Sequence, residues 1–257
     1  GGRFWPAIRR LFIWRYYVDY FPIKLHKTAD LDPSKNYIIV CHPHGILPFG
    51  VFANFAFDVT GFRKKFPGIT ARLAALHLNF WMPIRREKLL FLGLCSAKKE
   101  SIEYLLSKKG KGNAAVIVVG GAAEAFYAIP NTMHKNFDHS APLVPCISFG
   151  ENETFSQIYY DEKHWIKRIQ NKLKNVFGVA FPIFYGRGIF GCKYGWIPYR
   201  KPINTIIGKP IDVERVENPK DEDVDKLHEV YVKELTDLFY AFREKYAENP
   251  KMEIVIK

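Results

Sequence analysis

The sequence predicts an α/β fold: a mixed, mostly parallel sheet covered by helices, with amphipathic helices at the N- and C-terminal ends. Two observations predict it. Short apolar runs rich in β-branched residues recur at 36–41, 114–119, 143–149 and 203–207, with the length and composition of buried strands. Segments with helical spacing lie between and around them, and strands alternating with helices build a largely parallel sheet with both faces covered. At 257 residues, 48% apolar and 16% aromatic, the chain has ample material for a core, which rules out disorder as its main state.

Residues 4–20 place Phe4, Ile8, Leu11 and Phe12 at helical spacing, with Trp5, Trp14, Tyr16 and Tyr17 among Arg3, Arg9, Arg10 and Arg15. That pattern suits a helix at a membrane interface and equally a core-facing helix. Tyr20-Phe21-Pro22 ends it, because proline pushes the residue before it into extended geometry. The strand at 36–41 runs into the turn His42-Pro43-His44-Gly45, and the strand at 114–119 into Gly120-Gly121. Between them, 99–107 puts Ile102, Leu105 and Leu106 on one helical face.

Residues 162–177 alternate Trp165, Ile166, Ile169, Leu173, Val176 and Phe177 with Lys163, Lys167, Arg168, Lys172 and Lys174. This predicts a basic amphipathic helix facing a membrane surface or phosphates. The section 181–210 is rich in proline and glycine and resists a long helix. Asp221, Glu222 and Asp223 suit a helix N-terminus, after which Val224, Leu227, Tyr231, Leu235, Leu238 and Phe242 predict an amphipathic helix packed on the domain. No linker divides the chain, so 1–257 is read as one domain.

The charge is uneven. Lys and Arg number 38 against 26 Asp and Glu, a net +12, which points to an anionic partner. From 163 to 211 there are ten bases and no acid, whereas 212–257 holds thirteen acids and eight bases, a net of −5. One basic face beside an ordinary solvated element follows. Cys41, Cys95, Cys146 and Cys192 are far apart with no CxxC, so buried free thiols are expected rather than a zinc ribbon or disulfide scaffold. No run of 18 apolar residues and no secretory signal pattern occurs in the sequence.

For chemistry, His42-Pro43-His44-Gly45 stands first. Open α/β sheets place active sites at the C-terminal ends of their strands, and two histidines there titrate near neutral pH. Pro43 fixes the backbone and Gly45 allows a ligand to approach closely. Gly120-Gly121-Ala122-Ala123-Glu124 stands second: if its strand neighbours that of His42, Glu124 can orient an imidazole; otherwise it is a first-turn acid favoured by the helix dipole. Cys41 points away from His42 on an extended backbone, and no G-x-S-x-G is present, so a side-chain nucleophile is not supported. Metal binding by His42 and His44 lacks a third ligand at recognisable spacing. Phosphate-loop, dinucleotide, zinc-finger and RNP-type signatures are missing, and no nucleic-acid partner is expected.

Tyr20-Phe-Pro22, His42-Pro-His-Gly45, the run Asn113-Ala-Ala-Val-Ile-Val-Val-Gly-Gly-Ala-Ala-Glu-Ala125, Leu143-Val-Pro145 with Ser148-Phe-Gly-Glu-Asn152, Gly186-Arg-Gly188, Pro198-Tyr-Arg-Lys-Pro202 and Gly208-Lys-Pro210 occur in this order. On these the chain resembles the type 2 diacylglycerol acyltransferase family, which also contains monoacylglycerol and wax-alcohol acyltransferases. The resemblance implies a glycerol-phosphate-acyltransferase-like fold and an enzyme of the endoplasmic-reticulum membrane, cytosolic face, and lipid droplet. It further implies transfer of a fatty acyl group from acyl-CoA, a co-substrate rather than a resident cofactor, to diacylglycerol or a similar lipid alcohol. Members usually begin with a hydrophobic membrane hairpin, and this chain starts just after its place, leaving 1–25 as an interfacial helix. Between Thr132 and Ala141 the family carries a longer segment with an Arg-Lys-Gly-Phe-like motif, where this chain has only 133–140. The related glycerol-phosphate enzymes pair a His with an Asp five residues on; here those positions are Leu47 and Phe49, so the carboxylate has to come from elsewhere, and Glu124 is the best candidate.

The expected catalytic residues are therefore His44, Glu124 and His42, with His44 preferred as base because Gly45 leaves its far side open and His42 as the alternative. Pro43, Gly45, Gly120 and Gly121 are expected to hold substrate. Arg187, Arg200, Lys201 and Lys209 are expected to meet CoA phosphates. Two other classes remain open: a metal-dependent hydrolase and a catalytically silent lipid-binding protein.

Overall fold

A computed structural model describes residues 4–119, 141–161, 163–177, 182–189, 194–213 and 220–254. In chain order, α1 (Pro6–Arg9) and α2 (Ile13–Tyr20) precede β1 (Lys24–Lys27) and β2 (Tyr37–His42), followed by α3 (Phe49–Ala56), α4 (Phe62–Lys65) and β3 (Thr70–Ala75). Next come α5 (Pro83–Phe91), β4 (Cys95–Ser96), α6 (Lys99–Glu103, extended by a π turn over Tyr104–Lys108), β5 (Asn113–Val118) and β6 (Leu143–Phe149). Then follow β7 (Ser156–Ile158), α7 (Trp165–Phe177), β8 (Ile183–Tyr185), β9 (Asn204–Ile207) and α8 (Asp221–Tyr246), with short 3₁₀ helices at His77–Phe80 and Asn152–Thr154.

Seven strands form one sheet in the order β1-β9-β6-β2-β5-β3-β4. Every pairing in it is parallel except β6 with β9, which is antiparallel. The mixed, mostly parallel sheet expected from the sequence is thus present, and β7 and β8 form a separate two-stranded ribbon. All six residues of the central strand β2 are buried, because both sheet faces are covered. Tyr37, Ile39 and Cys41 join one core with Val51 and Phe55 of α3 and Phe21 beyond α2. Ile38 and Val40 join the other with Leu105 and with Tyr231, Leu235 and Phe239 of α8. Each such side chain, fully buried, contributes about 1.5–3 kcal/mol, so α8 is anchored by its apolar stripe.

The N-terminal reading is corrected in part. Residues 4–20 form two short helices rather than one, and Arg9 is no rim residue. It is 2% exposed, with Nη2 donating to the Phe55 carbonyl at 2.8 Å and lying 3.2 Å from Asp58 Oδ1. Ile8, Trp14 and Tyr17 pack on the core while Phe12 and Tyr16 stay exposed, so the segment has both a core-facing and a solvent-facing aromatic side. Cys41, Cys95 and Cys146 are buried free thiols; Cys192 lies outside the described residues.

Candidate functional site

Because β2, β5 and β6 run parallel and side by side, their C-terminal ends share one edge. The chain leaves β2 there through a cis peptide between His42 and Pro43. Strand alternation sends Cys41 and His42 to opposite faces. Cys41 lies in the core beside Cys146, and burial pushes its thiol well up, which disfavours a thiolate nucleophile. His42 turns toward α8, where its Nε2 lies 2.8 Å from the Tyr231 hydroxyl. Burial pushes His42 down to about 4, so the imidazole is neutral at pH 7 and a weak proton acceptor.

His44 is half-buried, and its Nδ1 lies 3.1 Å from the Gly45 carbonyl oxygen. A carbonyl only accepts, so Nδ1 is the protonated nitrogen in this contact and the Nε2 lone pair remains available to take a proton. Gly45 holds a left-handed φ of +60°, and a Cβ there would sit 3.2 Å from the Glu151 carbonyl oxygen. Both the turn and the contact favour glycine.

Beside this loop lies a cleft of about 620 Å³, within the usual range for small-molecule sites. His42, Pro43 and Gly45 line it with apolar side chains such as Phe155, Leu235 and Phe239. His44, between two lining residues, does not itself line it. Glu153 and Glu253 do, and among the described lining residues there is no Lys or Arg.

Gly120, Gly121 and Glu124 lie outside the described residues. The condition set for Glu124 is met up to that point: β5 is the direct neighbour of β2, and Val119 N donates to the Cys41 carbonyl at 2.9 Å. The four expected anion-binding bases are each tied to a different place. Arg187 pairs through its backbone with Ile197, and Arg200 donates to the Tyr20 and Asp19 carbonyls. Lys201 pairs with Glu248 at 2.8 Å, and Lys209 with Glu234 at 3.0 Å. None of the four lines the cleft. Among the described residues no group of three His, Cys, Asp or Glu is arranged to hold a metal ion.

Two residues of the site were given no chemical role by the sequence; Glu151 appears there only within the motif Ser148-Phe-Gly-Glu-Asn152. Tyr231 figured there only as one position of an apolar stripe. Glu151 stands at a sharp turn after a buried strand, which was the available signal. It is fully buried, and its Oε1 accepts from the backbone N–H of Gly50 at 2.8 Å and of Val51 at 3.1 Å. Burial pushes its carboxyl up to about 8 against the opposing pull of these amides.

A family model for diacylglycerol acyltransferase matches residues 1–257. The chain is 43% identical over 268 residues to human 2-acylglycerol O-acyltransferase 1, covering 100% of this chain and 80% of that protein. It is 44% identical over 267 residues to bovine diacylglycerol O-acyltransferase 2, covering 99% and 74%. Among solved structures it is similar to the 1-acyl-sn-glycerophosphate acyltransferase PlsC from Thermotoga maritima, with a TM-score of 0.42 and 11% identity over 86% of this chain and 77% of that one.

Proposed function

The chain belongs to the diacylglycerol acyltransferase family and is an acyltransferase, and on that premise we propose that it acylates diacylglycerol from acyl-CoA with His44 as general base. His44 Nε2 takes the proton of the acceptor hydroxyl as its oxygen attacks the thioester carbonyl. The tetrahedral intermediate expels the CoA thiolate, which receives that proton from the imidazolium, and the new ester leaves. No acyl-enzyme forms. General-base assistance of this kind contributes about 10²–10⁴ in rate.

One observation carries the choice of base: His44 Nδ1 is engaged by the Gly45 carbonyl, leaving Nε2 as acceptor, whereas burial holds His42 far below neutrality. Glu124 is proposed to stabilise the imidazolium through its charge rather than by a hydrogen bond, because Nδ1 is engaged by the Gly45 carbonyl and Nε2 by the acceptor; the pairing of β2 with β5 supports this. Backbone N–H groups near Gly45 or Gly121 are the proposed oxyanion donors. CoA phosphates are proposed to meet the acid-free stretch 163–211, including Arg187, Arg200, Lys201 and Lys209, rather than the cleft, whose two carboxylates would repel them.

The enzyme is proposed to work at the cytosolic face of the endoplasmic-reticulum membrane and at lipid droplets. The support is α7, with Trp165, Ile169 and Leu173 at 64%, 48% and 36% exposure along one stripe and no acid in the helix. No helix among the described residues is long and apolar enough to cross a membrane.

Monoacylglycerol is the second acceptor to consider, because relatives named for 2-acylglycerol are as similar as those named for diacylglycerol. The test is labelled oleoyl-CoA offered separately with diacylglycerol, monoacylglycerol and a long-chain alcohol to wild type, H44A and E124Q. Triacylglycerol from wild type with near-complete loss in H44A is expected. Full activity of a folded H44A, or exclusive use of another acceptor, overturns the corresponding half of the reading.

A further inference from the structure

The segment 45–50 leads from the His-Pro-His-Gly turn into α3, and both its ends rest on one residue. At the near end, Gly45 approaches the Glu151 backbone so closely that a Cβ would lie 3.2 Å from its carbonyl oxygen. At the far end, Glu151 Oε1 accepts from Gly50 and Val51, amides of the first turn of α3. A helix starts with orphan N–H groups that a local capping side chain normally satisfies. Here the residue before the helix is Pro48, which gives no side-chain cap, so the acceptor comes from a carboxyl group 101 residues away in sequence. Gly50 leaves no room for slack: a Cβ there would lie 2.4 Å from Ile203 Cγ2 and 2.9 Å from Glu151 Oε1.

We propose that Glu151 is a positioning residue for acyl transfer, seating segment 45–50 and thereby fixing the backbone that carries His44. The proposal rests on His44 as the base. Its physical content is reach rather than charge: one oxygen has to arrive at two amides. The other carboxyl oxygen, Oε2, is buried with no hydrogen-bond partner. The groups that act on this carboxyl or feel its charge are Tyr17, Cys41 and Glu153, none of them cationic. A carboxyl held protonated in such surroundings still offers its carbonyl oxygen to both amides, as a glutamine would.

The test compares E151Q, which keeps an oxygen at the same reach without charge, with E151D, which keeps the charge and withdraws the oxygen by one methylene. Displacing a reacting group by about 1 Å costs on the order of 10²-fold. We expect kcat of E151D to fall about ten- to a hundredfold with KM for oleoyl-CoA little changed, and E151Q to retain several-fold more kcat than E151D. The reverse order, E151D active and E151Q dead, makes the charge essential and overturns the proposal. So does a folded E151D with kcat within twofold of wild type. On an H44A background E151D should add less than twofold; a full additional loss means that Glu151 acts apart from His44. Failure of the base reading appears separately, as an active H44A single variant, and leaves the order of the two Glu151 variants readable.

Discussion

Nε2 of His42 and the hydroxyl of Tyr231 lie 2.8 Å apart, joining the end of the central strand to the long C-terminal helix 189 residues later. Removing the hydroxyl in Y231F weakens a buried polar contact, at a cost of about 1–3 kcal/mol. A lowered Tm is expected, and the proposal of His44 as base predicts that the acidic limb of the pH–rate profile does not move. A shifted limb in Y231F would transfer the role of base to His42.

His42 also sets a pH dependence of stability. The unfolded chain takes up its proton near the ordinary value of 6.5, whereas the folded chain refuses it until about pH 4. Stability therefore falls as pH drops through that window, by up to about 3 kcal/mol. Urea midpoints measured from pH 7 to 4 should decline less steeply in H42Q than in wild type.

Glu151 works in the opposite direction. Its folded carboxyl stays protonated up to about pH 8, against 4.5 when unfolded, so its contribution is complete below 4.5 and is lost as pH rises through 8. Relative to wild type, E151Q is expected to gain stability steadily between about pH 4.5 and 8. A constant difference over that range would mean that the buried carboxyl does not hold its proton.

The Arg9–Asp58 pair ties α1 to the domain. Arg9 is pulled down to about 10 by burial, which leaves it charged at neutral pH, and Asp58 also receives Arg10 and Arg63, each at 3.5 Å. Breaking a buried pair from one side costs about 3–5 kcal/mol. D58N should therefore lower the denaturation midpoint sharply, while exposed R15A should change it little; equal effects would contradict the assignment.

At α7 the prediction concerns lipid. Each basic residue near an anionic bilayer is worth about 1 kcal/mol, so reversing Arg168 and Lys172 to Glu should weaken sedimentation with phosphatidylserine vesicles by well over tenfold. W165A should weaken binding to neutral and anionic vesicles alike. Unchanged binding in both variants removes this helix from the membrane contact.

The strands legible in the sequence were those buried on both faces, where a run such as Tyr37-Ile-Ile-Val-Cys41 has one reading. β3 and β1 escaped notice because they are not uniformly apolar. Arg72 sits in the middle of β3, buried, with its guanidinium 5.3 Å from the Phe4 ring centroid, and β1 reads Lys-Leu-His-Lys. The single N-terminal helix expected from aromatic spacing is two helices, since spacing alone does not reveal a buried ion pair at Arg9. In the site, the histidine turn was legible because strand, turn and chemistry are contiguous. Glu151 and Tyr231 were not, because Glu151 meets Gly50 across 101 residues and Tyr231 meets His42 across 189, and no local pattern reports such contacts. The bases of the acid-free stretch looked alike in sequence, yet Lys201 and Lys209 sit in ion pairs with Glu248 and Glu234.

The antiparallel pairing of β9 with β6 has an evolutionary consequence. Phe149 faces Asn204 across that ladder, and a Cβ on Gly150 would lie 2.1 Å from the Pro202 carbonyl oxygen, so residues 150–203 leave and rejoin the sheet at a single point. Closing such an excursion costs little more when it is long than when it is short. Beyond the cleft-lining residues Phe155, Gln157 and Tyr159, the excursion, α7 included, can thus be lengthened, shortened or exchanged without rethreading a strand, provided the junction is kept. That gives the scaffold a region free to diversify its outer surface while the histidine turn stays fixed on the opposite side of β6.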